Sequence, residues 1–178
     1  MKCLLLIAVL FLFASCGKEA ENGGITPQAK PEIVSESSYF MLPYEFSATD
    51  LYGNTVTQET LGEKQVFFVH LWATWCGPCV RGMPDLAEAA QTYGDSVGFL
   101  GLVSDYDSNL DGAISIIESA GMPDSFIMID ANEPSAAHLR EMVRTGFVPA
   151  TVLITIDNLS PEPLTGRNYA ELLDEVLP

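Results

Sequence analysis

Two cysteines with the spacing of a redox pair, Cys76 and Cys79, stand in the stretch Trp75-Cys76-Gly77-Pro78-Cys79. The apolar run Val66 to Trp72 before them predicts a buried strand, and the residues after them have the periodicity of a helix. Positions i and i+3 of a first helical turn lie on one face, so the two sulfurs can approach bonding distance. A Cys-x-x-Cys pair between a strand and a helix is typical of redox chemistry.

The two cysteines are expected to play different parts. Cys76 would occupy the helix N-terminus, where unpaired backbone N–H groups and the helix dipole favour a thiolate, which is the nucleophile in disulfide exchange. Cys79, one turn further and more buried, would act second. Pro78 suits the first turn, because its missing N–H would have no helical partner there.

The composition limits the classes of partner. The chain has 178 residues, enough for one domain with a hydrophobic core. Its 8 Lys+Arg against 24 Asp+Glu give a formal net charge of −16. Such a surface repels phosphate backbones, which argues against nucleic acid as a partner.

The N-terminus predicts export. Lys2 is followed by ten apolar residues, 4–13, and by the small pair Ala14-Ser15, which together describe a secretory signal over residues 1–15. The apolar segment is too short to span a bilayer. Small residues directly before Cys16 resemble a bacterial lipobox, which implies cleavage before Cys16 and lipid on its sulfur. The alternative is an ordinary signal peptide cut nearby, leaving Cys16 without lipid.

A flexible tether is predicted over residues 16–38, which are polar and show no hydrophobic period. Residues 39–178 would then form the folded domain. With the signal removed and Cys16 carrying lipid, Cys76 and Cys79 would be the only free cysteines of the mature protein. An exported domain stabilised by disulfides normally carries more cysteines at longer spacings, so this count favours exchange chemistry.

Strands and helices alternate along the predicted domain. The expected elements are a β-hairpin within 39–60, strands at 66–73, 97–103, 126–129 and 151–156, and helices at 78–93, 108–120, 134–145 and 169–177. This order predicts an α/β sheet with helices on both faces.

With these elements placed, residues 39–178 resemble the thioredoxin superfamily, and within it the membrane-tethered thiol–disulfide oxidoreductases of the TlpA/ResA type. The resemblance is carried by the run from Leu71 to Cys79, by Met83-Pro84, by the hairpin, and by the strand and helix at 97–120. It implies a thioredoxin-like fold: a central mixed sheet flanked by helices, with an N-terminal β-hairpin and a βα insertion.

The resemblance also implies residue roles. Cys76 matches the attacking cysteine, Cys79 the resolving cysteine, and Trp75 the aromatic residue that shields the pair. Pro149 matches the cis-proline beside the disulfide, and the backbone of Val148 would pair with a bound substrate strand. Without the resemblance, Pro149 is a proline at a strand start, where the sheet can spare its N–H.

Two positions depart from the relatives. Gly77-Pro78 stands where ResA-type proteins carry a Glu, and it is the pair found in thioredoxin, which favours a reductase. His70 stands where thioredoxins have a buried acid, on the strand face that alternation also assigns to Phe68 and Trp72. It could relay a proton to or from Cys79. The alternative is a neutral, hydrogen-bonded core histidine.

Together these patterns predict an exported, lipid-anchored enzyme of the bacterial cell envelope, outside the cytoplasm and facing the periplasm. It would reduce disulfides of exported proteins through Cys76 and Cys79, with no metal or cofactor, and a membrane electron donor would re-reduce it. Cytochrome c maturation is a frequent role in the family. The alternative is a copper- or zinc-binding lipoprotein that uses the two cysteines with His70 and His138.

Overall fold

The computed structural model of the protein describes residues 38–143, 145–159, 161–164 and 168–178, all within one compact unit. The predicted signal peptide at 1–15, Cys16 and the predicted tether up to residue 37 lie outside the described residues. The predicted division of the chain into signal, tether and domain therefore stays a prediction.

A four-stranded mixed sheet forms the centre of the fold. Its strands are β5 (Val66–Trp72), β6 (Val97–Val103), β7 (Phe126–Asp130) and β8 (Ala150–Thr155). They lie in the order β7-β6-β5-β8. β5 runs parallel to β6 and antiparallel to β8, while β6 runs parallel to β7. Every residue of β5 and β6 is buried, as expected for strands covered on both faces.

Five α-helices accompany the sheet in the described part of the chain: α1 (Gln58–Leu61), α2 (Gly77–Tyr93), α3 (Leu110–Ser119), α4 (Ala137–Val143) and α5 (Tyr169–Val176). Two α-helices begin later than predicted. The helix predicted from residue 108 begins at Leu110, because Tyr106–Ser108 forms a separate 3₁₀ turn before Asn109. The helix predicted from residue 134 starts with the 3₁₀ turn Pro134–Ala136 and ends at Val143.

The predicted N-terminal hairpin is present. β2 (Ser47–Thr49) pairs antiparallel with β3 (Thr55–Thr57), and a second short pair joins β1 (Phe40–Met41) to β4 (Glu63–Lys64). The first hairpin strand ends at Thr49, and the Asp50 carboxylate then accepts the N–H groups of Tyr52 and Asn54 and makes the turn.

The sheet divides the core into two layers. On one face, residues of α2, α3 and α5 pack with Phe68, Trp72 and Phe99, and this layer includes Cys76 and Cys79. On the other face, α4 and the N-terminal strands cover a second layer that contains Phe67 and Val69. This arrangement confirms the predicted thioredoxin-like α/β fold with a mixed sheet and helices on both faces.

The close approach of β5 and β6 gives a stability prediction at Gly98. Phe67 pairs with Gly98 across the strands, and a Cβ on Gly98 would lie 2.6 Å from the Phe67 ring. We expect Gly98→Ala to lower the free energy of unfolding by about 1–3 kcal/mol, the usual cost of overpacking a core. Urea unfolding monitored by circular dichroism measures it.

Gly82→Ala is the matched control for that substitution. A Cβ on Gly82 would meet its nearest neighbour, the Tyr169 hydroxyl, at an ordinary 3.7 Å, and the site lies inside α2. The free energy of unfolding of this control should therefore rise by about 0.5–1 kcal/mol, because alanine loses less backbone entropy than glycine in a helix. Equal effects of the two substitutions would contradict the packing at Gly98.

Candidate active site

The two cysteines form a disulfide at the N-terminus of α2, with their Cα atoms 5.2 Å apart. Cys76 is the N-cap residue, and its Sγ accepts the backbone N–H of Cys79 at 3.2 Å. Cys76 is 4% exposed and Cys79 is 1% exposed. The N–H group and the helix terminus both favour negative charge on Cys76 once the bond is reduced, which makes Cys76 the better nucleophile.

A tight turn places Cys76 at that position. The N–H of Cys76 donates to the carbonyl of Ala73 at 3.2 Å, so the chain reverses between the end of β5 and the start of α2. Pro78 lies in the first turn of the helix, as predicted. The helix continues through Pro84 to Tyr93.

The side chain of Asp105, in the loop that follows β6, holds this turn. Its carboxylate accepts both the backbone N–H and the hydroxyl of Thr74, and Asn109 donates its Nδ2 to the same hydroxyl oxygen at 2.8 Å. Asp105 is also the N-cap residue of the 3₁₀ turn Tyr106–Ser108, and Asn109 is the N-cap residue of α3.

The segment before β8 reaches the disulfide from the other side. The Val148–Pro149 peptide bond is cis, and the Val148 carbonyl oxygen lies 3.6 Å from Cys76 Sγ. Both residues are half-buried, and the paired part of β8 begins after them, at Ala150. Val148 and Pro149 therefore lie beside the pair, in the positions that the resemblance implies.

Two large apolar side chains near the disulfide are exposed. Trp75, next to Cys76, is 72% exposed, and Phe147, next to Val148, is 65% exposed. Phe147 was not singled out from the sequence, although an aromatic residue two positions before Pro149 was the available signal. Arg81 is also exposed at this end, and its Nη1 lies 3.2 Å from where a Cβ on Gly77 would be.

His70 lies in the core layer below the pair and is fully buried. Its Nδ1 is 2.8 Å from the hydroxyl of Thr151, and the Phe68 and Tyr169 rings pack against the imidazole. Burial lowers the pKa of His70 from 6.5 to about 3, so the ring is neutral at pH 7. Its Nε2 has no hydrogen-bond partner among the described residues.

This geometry fits a neutral core histidine bonded through Nδ1. The proton relay stays a prediction. Because Nδ1 is bonded to Thr151, Nε2 is the ring nitrogen through which His70 would exchange a proton.

A closed metal site is not assembled from the described residues. Within them, no group of three or more His, Cys, Asp or Glu side chains is close enough to hold an ion. His138, which the alternative zinc site needs, is exposed on α4 and packs against the Tyr44 ring at 4.3 Å. The four-ligand arrangement of Cys76, Cys79, His70 and His138 is therefore not formed.

The mixed sheet, the Cys-x-x-Cys pair at a helix N-terminus and the cis-proline beside it together define a thioredoxin-fold redox protein. The Redoxin family matches residues 31–157, and the chain belongs to that family. Part of the chain is also similar to a thiol–disulfide oxidoreductase named ResA.

The curated proteins similar to the chain include thioredoxins and thiol–disulfide oxidoreductases. The thiol-disulfide oxidoreductase ResA of Bacillus thuringiensis subsp. konkukian (strain 97-27) is 32% identical over 87 residues, which is 49% of this chain and 46% of that protein. The chain spans about half the length of the curated relatives it matches.

Solved structures share the fold. A thiol:disulfide interchange protein from Chlorobium tepidum TLS superposes with a TM-score of 0.62 at 17% identity, covering 78% of this chain and 98% of that one. A secreted disulfide oxidoreductase from Mycobacterium tuberculosis gives 0.57 at 21% identity, covering 74% and 94%.

Proposed function

We propose that this protein is a thiol–disulfide oxidoreductase that reduces disulfides of exported proteins through Cys76 and Cys79. The observation that carries the proposal is the disulfide itself, at the N-terminus of α2 with the Cys79 N–H directed at Cys76 Sγ. The membership of the Redoxin family supports it. So does the similarity to ResA.

The proposed reaction transfers two electrons from the dithiol to the substrate. The Cys76 thiolate attacks one sulfur of a substrate disulfide, forms a mixed disulfide and releases the other substrate sulfur as a thiolate. The Cys79 thiolate then attacks Cys76 Sγ, which closes the Cys76–Cys79 bond and releases the second substrate thiolate. The two protons lost from Cys76 and Cys79 balance the two taken up by the substrate thiols.

The reverse half of the cycle needs an electron source. Each turnover leaves the pair oxidised, so a donor of two electrons must reduce it again. We assign the re-reduction of the cysteine pair to a membrane electron donor, because the proposed location of the protein lies outside the cytoplasm. The Gly77-Pro78 pair between the cysteines, shared with thioredoxin, supports reduction rather than oxidation as the direction.

The proposed location is the bacterial cell envelope, with the domain tethered to the membrane by lipid on Cys16. The signal pattern before Cys16 supports export. The secreted M. tuberculosis oxidoreductase, a structural neighbour, is in keeping with this location. In the part of the chain that the structure describes, no helix is long and apolar enough to cross a membrane.

Insulin, a small disulfide-containing protein, provides the test of the activity. Purified protein is reduced, freed of reductant and mixed with insulin, and thiols on both proteins are counted by alkylation. We expect insulin thiols to appear in step with loss of the Cys76 and Cys79 thiols, and protein oxidised beforehand is the control. A reduced pair that leaves insulin disulfides intact would refute the proposal.

The exposed aromatic residues predict how protein substrates bind. Phe147 adjoins Val148, whose carbonyl oxygen lies 3.6 Å from Cys76 Sγ, and its side chain is 65% exposed. We therefore expect a polypeptide docked on Cys76 to cover it. We expect Phe147→Ala to raise KM for a protein disulfide about tenfold, the cost of losing an aromatic anchor at an interface. Steady-state kinetics with insulin measure it.

Two comparisons separate docking from chemistry in that experiment. Reaction with glutathione disulfide, which is too small to cover Phe147, should stay unchanged. Tyr52→Ala removes an aromatic residue of similar exposure, 60%, from the hairpin turn and should leave KM unchanged. Equal losses with insulin and glutathione disulfide would show that Phe147 acts on the cysteines and not on docking.

A further inference from the structure

The turn between β5 and α2 determines where the reactive sulfur lies. Its closing hydrogen bond runs from the Cys76 N–H to the Ala73 carbonyl, so Thr74 and Trp75 occupy the middle of the turn. Cys76 follows at once as the N-cap of α2. Any change in the conformation of Thr74 is therefore passed to Cys76 within two residues.

Asp105 binds the middle of this turn through both carboxylate oxygens. Oδ1 accepts the Thr74 N–H at 3.1 Å, and Oδ2 accepts the Thr74 hydroxyl. The same hydroxyl oxygen accepts a hydrogen bond from Nδ2 of Asn109 at 2.8 Å. The Thr74 hydroxyl is therefore both donor and acceptor, and it connects Asn109 to the Asp105 carboxylate. Hydrogen bonds to an ionised acceptor are the stronger kind.

The backbone around Asp105 is itself held in place. The carbonyl of Asp105 accepts the N–H groups of Ser108 at 3.1 Å and Asn109 at 3.0 Å, which tie Asp105 to the 3₁₀ turn before α3. On the other side, the N–H of Ser104 donates to the carbonyl of Trp72 at 2.9 Å. Asp105 thus connects the end of β6 and the start of α3 to the active-site turn.

We propose that Asp105 is a positioning residue for the dithiol, acting through Thr74 to hold the turn that presents Cys76. The proposal rests on the proposed function and adds a residue to it. The carboxylate of Asp105 bonds to Thr74, whereas Cys76 Sγ bonds to the Val148 carbonyl and the Cys79 N–H, so the effect of Asp105 passes through the backbone of the turn. Without the carboxylate, the N–H and hydroxyl of Thr74 lose their acceptor, and the turn can leave the conformation that places Cys76 Sγ under the Cys79 N–H.

The test compares Asp105→Ala with Asp105→Asn in the purified full chain. Alanine removes both acceptors, whereas asparagine keeps an oxygen for the Thr74 N–H and removes the charge. We expect Asp105→Ala to slow the alkylation of reduced Cys76 by iodoacetamide at pH 7 about tenfold, as for loss of a charge-assisted hydrogen bond. The midpoint of its pH–rate profile should move to higher pH.

Two variants set the reference points of the experiment. Asp105→Asn should recover most of the rate, and its midpoint should not move upward, because the oxygen that accepts the Thr74 N–H is retained. Asp107→Ala removes an exposed carboxylate from the adjoining 3₁₀ turn and should leave rate and midpoint unchanged. A wild-type rate and midpoint in Asp105→Ala, or the same loss in Asp107→Ala, would overturn the proposal.

A second route covers the case in which Asp105→Ala does not fold. Thr74→Val deletes only the hydroxyl and should slow alkylation about threefold, in the range of one ordinary hydrogen bond. Combined with Asp105→Asn it should lose no more than the slower single variant, because both act on one contact. Wild-type behaviour of Thr74→Val, or simple additivity, would contradict the role of Asp105 through Thr74.

The readout also separates this proposal from the proposed function. Alkylation of Cys76 needs no protein substrate, whereas insulin reduction by the wild type tests the oxidoreductase activity. Failure of the wild type with insulin would refute that activity. An unchanged Asp105→Ala profile would refute the positioning role.

Discussion

Cys76→Ser is expected to abolish disulfide exchange, with a rate at least about a thousandfold below wild type, as found when a covalent nucleophile is removed. A serine hydroxyl stays protonated at neutral pH, so the helix N-terminus and the Cys79 N–H have no thiolate to stabilise. Cys79→Ser should behave differently. Cys76 still attacks, but no second thiolate is present to resolve the mixed disulfide, so the covalent complex should accumulate.

Both variants are measured with insulin as substrate, by thiol release and by non-reducing electrophoresis. His138→Gln is the control, since its side chain is exposed on α4, and it should exchange at the wild-type rate. A mixed disulfide trapped by Cys76→Ser in place of Cys79→Ser would reverse the assigned roles. Wild-type rates in both variants would exclude the pair from the chemistry.

His70→Asn is expected to remove a large part of the pH dependence of stability. The pKa of His70 is about 3 in the folded protein against 6.5 for the free side chain, because burial disfavours the charged ring. Between these values the unfolded chain binds a proton that the folded chain does not. The free energy of unfolding contributed by His70 is therefore full above pH 6.5 and is lost as the pH falls toward 3.

The size of that effect follows from about 1.4 kcal/mol per pH unit. Between pH 7.5 and 4.5, the free energy of unfolding should fall by about 3 kcal/mol more in wild type than in His70→Asn. Urea unfolding at four pH values measures both proteins, and carboxylates that titrate in the same range cancel in the difference. A constant difference between the two proteins across this range would contradict a buried, neutral His70.

Two variants of His70 test the proton relay. If Nε2 of His70 passes a proton to or from Cys79, then His70→Asn and His70→Ala should change the pH profile of disulfide exchange, and not only stability. Unchanged rates and profiles in both variants would leave His70 as a core residue alone.

Local signals made much of the fold and the central pair predictable. The apolar run of β5, the Cys-x-x-Cys spacing and the amphipathic residues of α2 each lie within a few positions of one another in the chain. Their structure depends on neighbouring residues, so sequence periodicity predicts it. The cis peptide at Val148–Pro149 came only from resemblance to a family, because trans is the ordinary state of such bonds.

Contacts set by strand register were not predictable in the same way. Trp72 pairs with Val103 in the sheet, so the residues that follow each of them emerge side by side and Asp105 meets Thr74. His70 finds its hydroxyl partner because Thr151 stands opposite it in β8. A single sequence predicts which face a residue occupies, whereas its partner depends on how distant strands align.

The equilibrium reduction potential of the Cys76–Cys79 pair tests the central claim most directly. The protein is equilibrated with thiol–disulfide buffers of graded potential, and the free cysteines are counted by alkylation. A reductase predicts a strongly negative value, near the roughly −270 mV of thioredoxin. A value near about −120 mV, at the oxidising end of the superfamily, would contradict reduction as the direction, and failure to form the disulfide at all would contradict the enzyme itself.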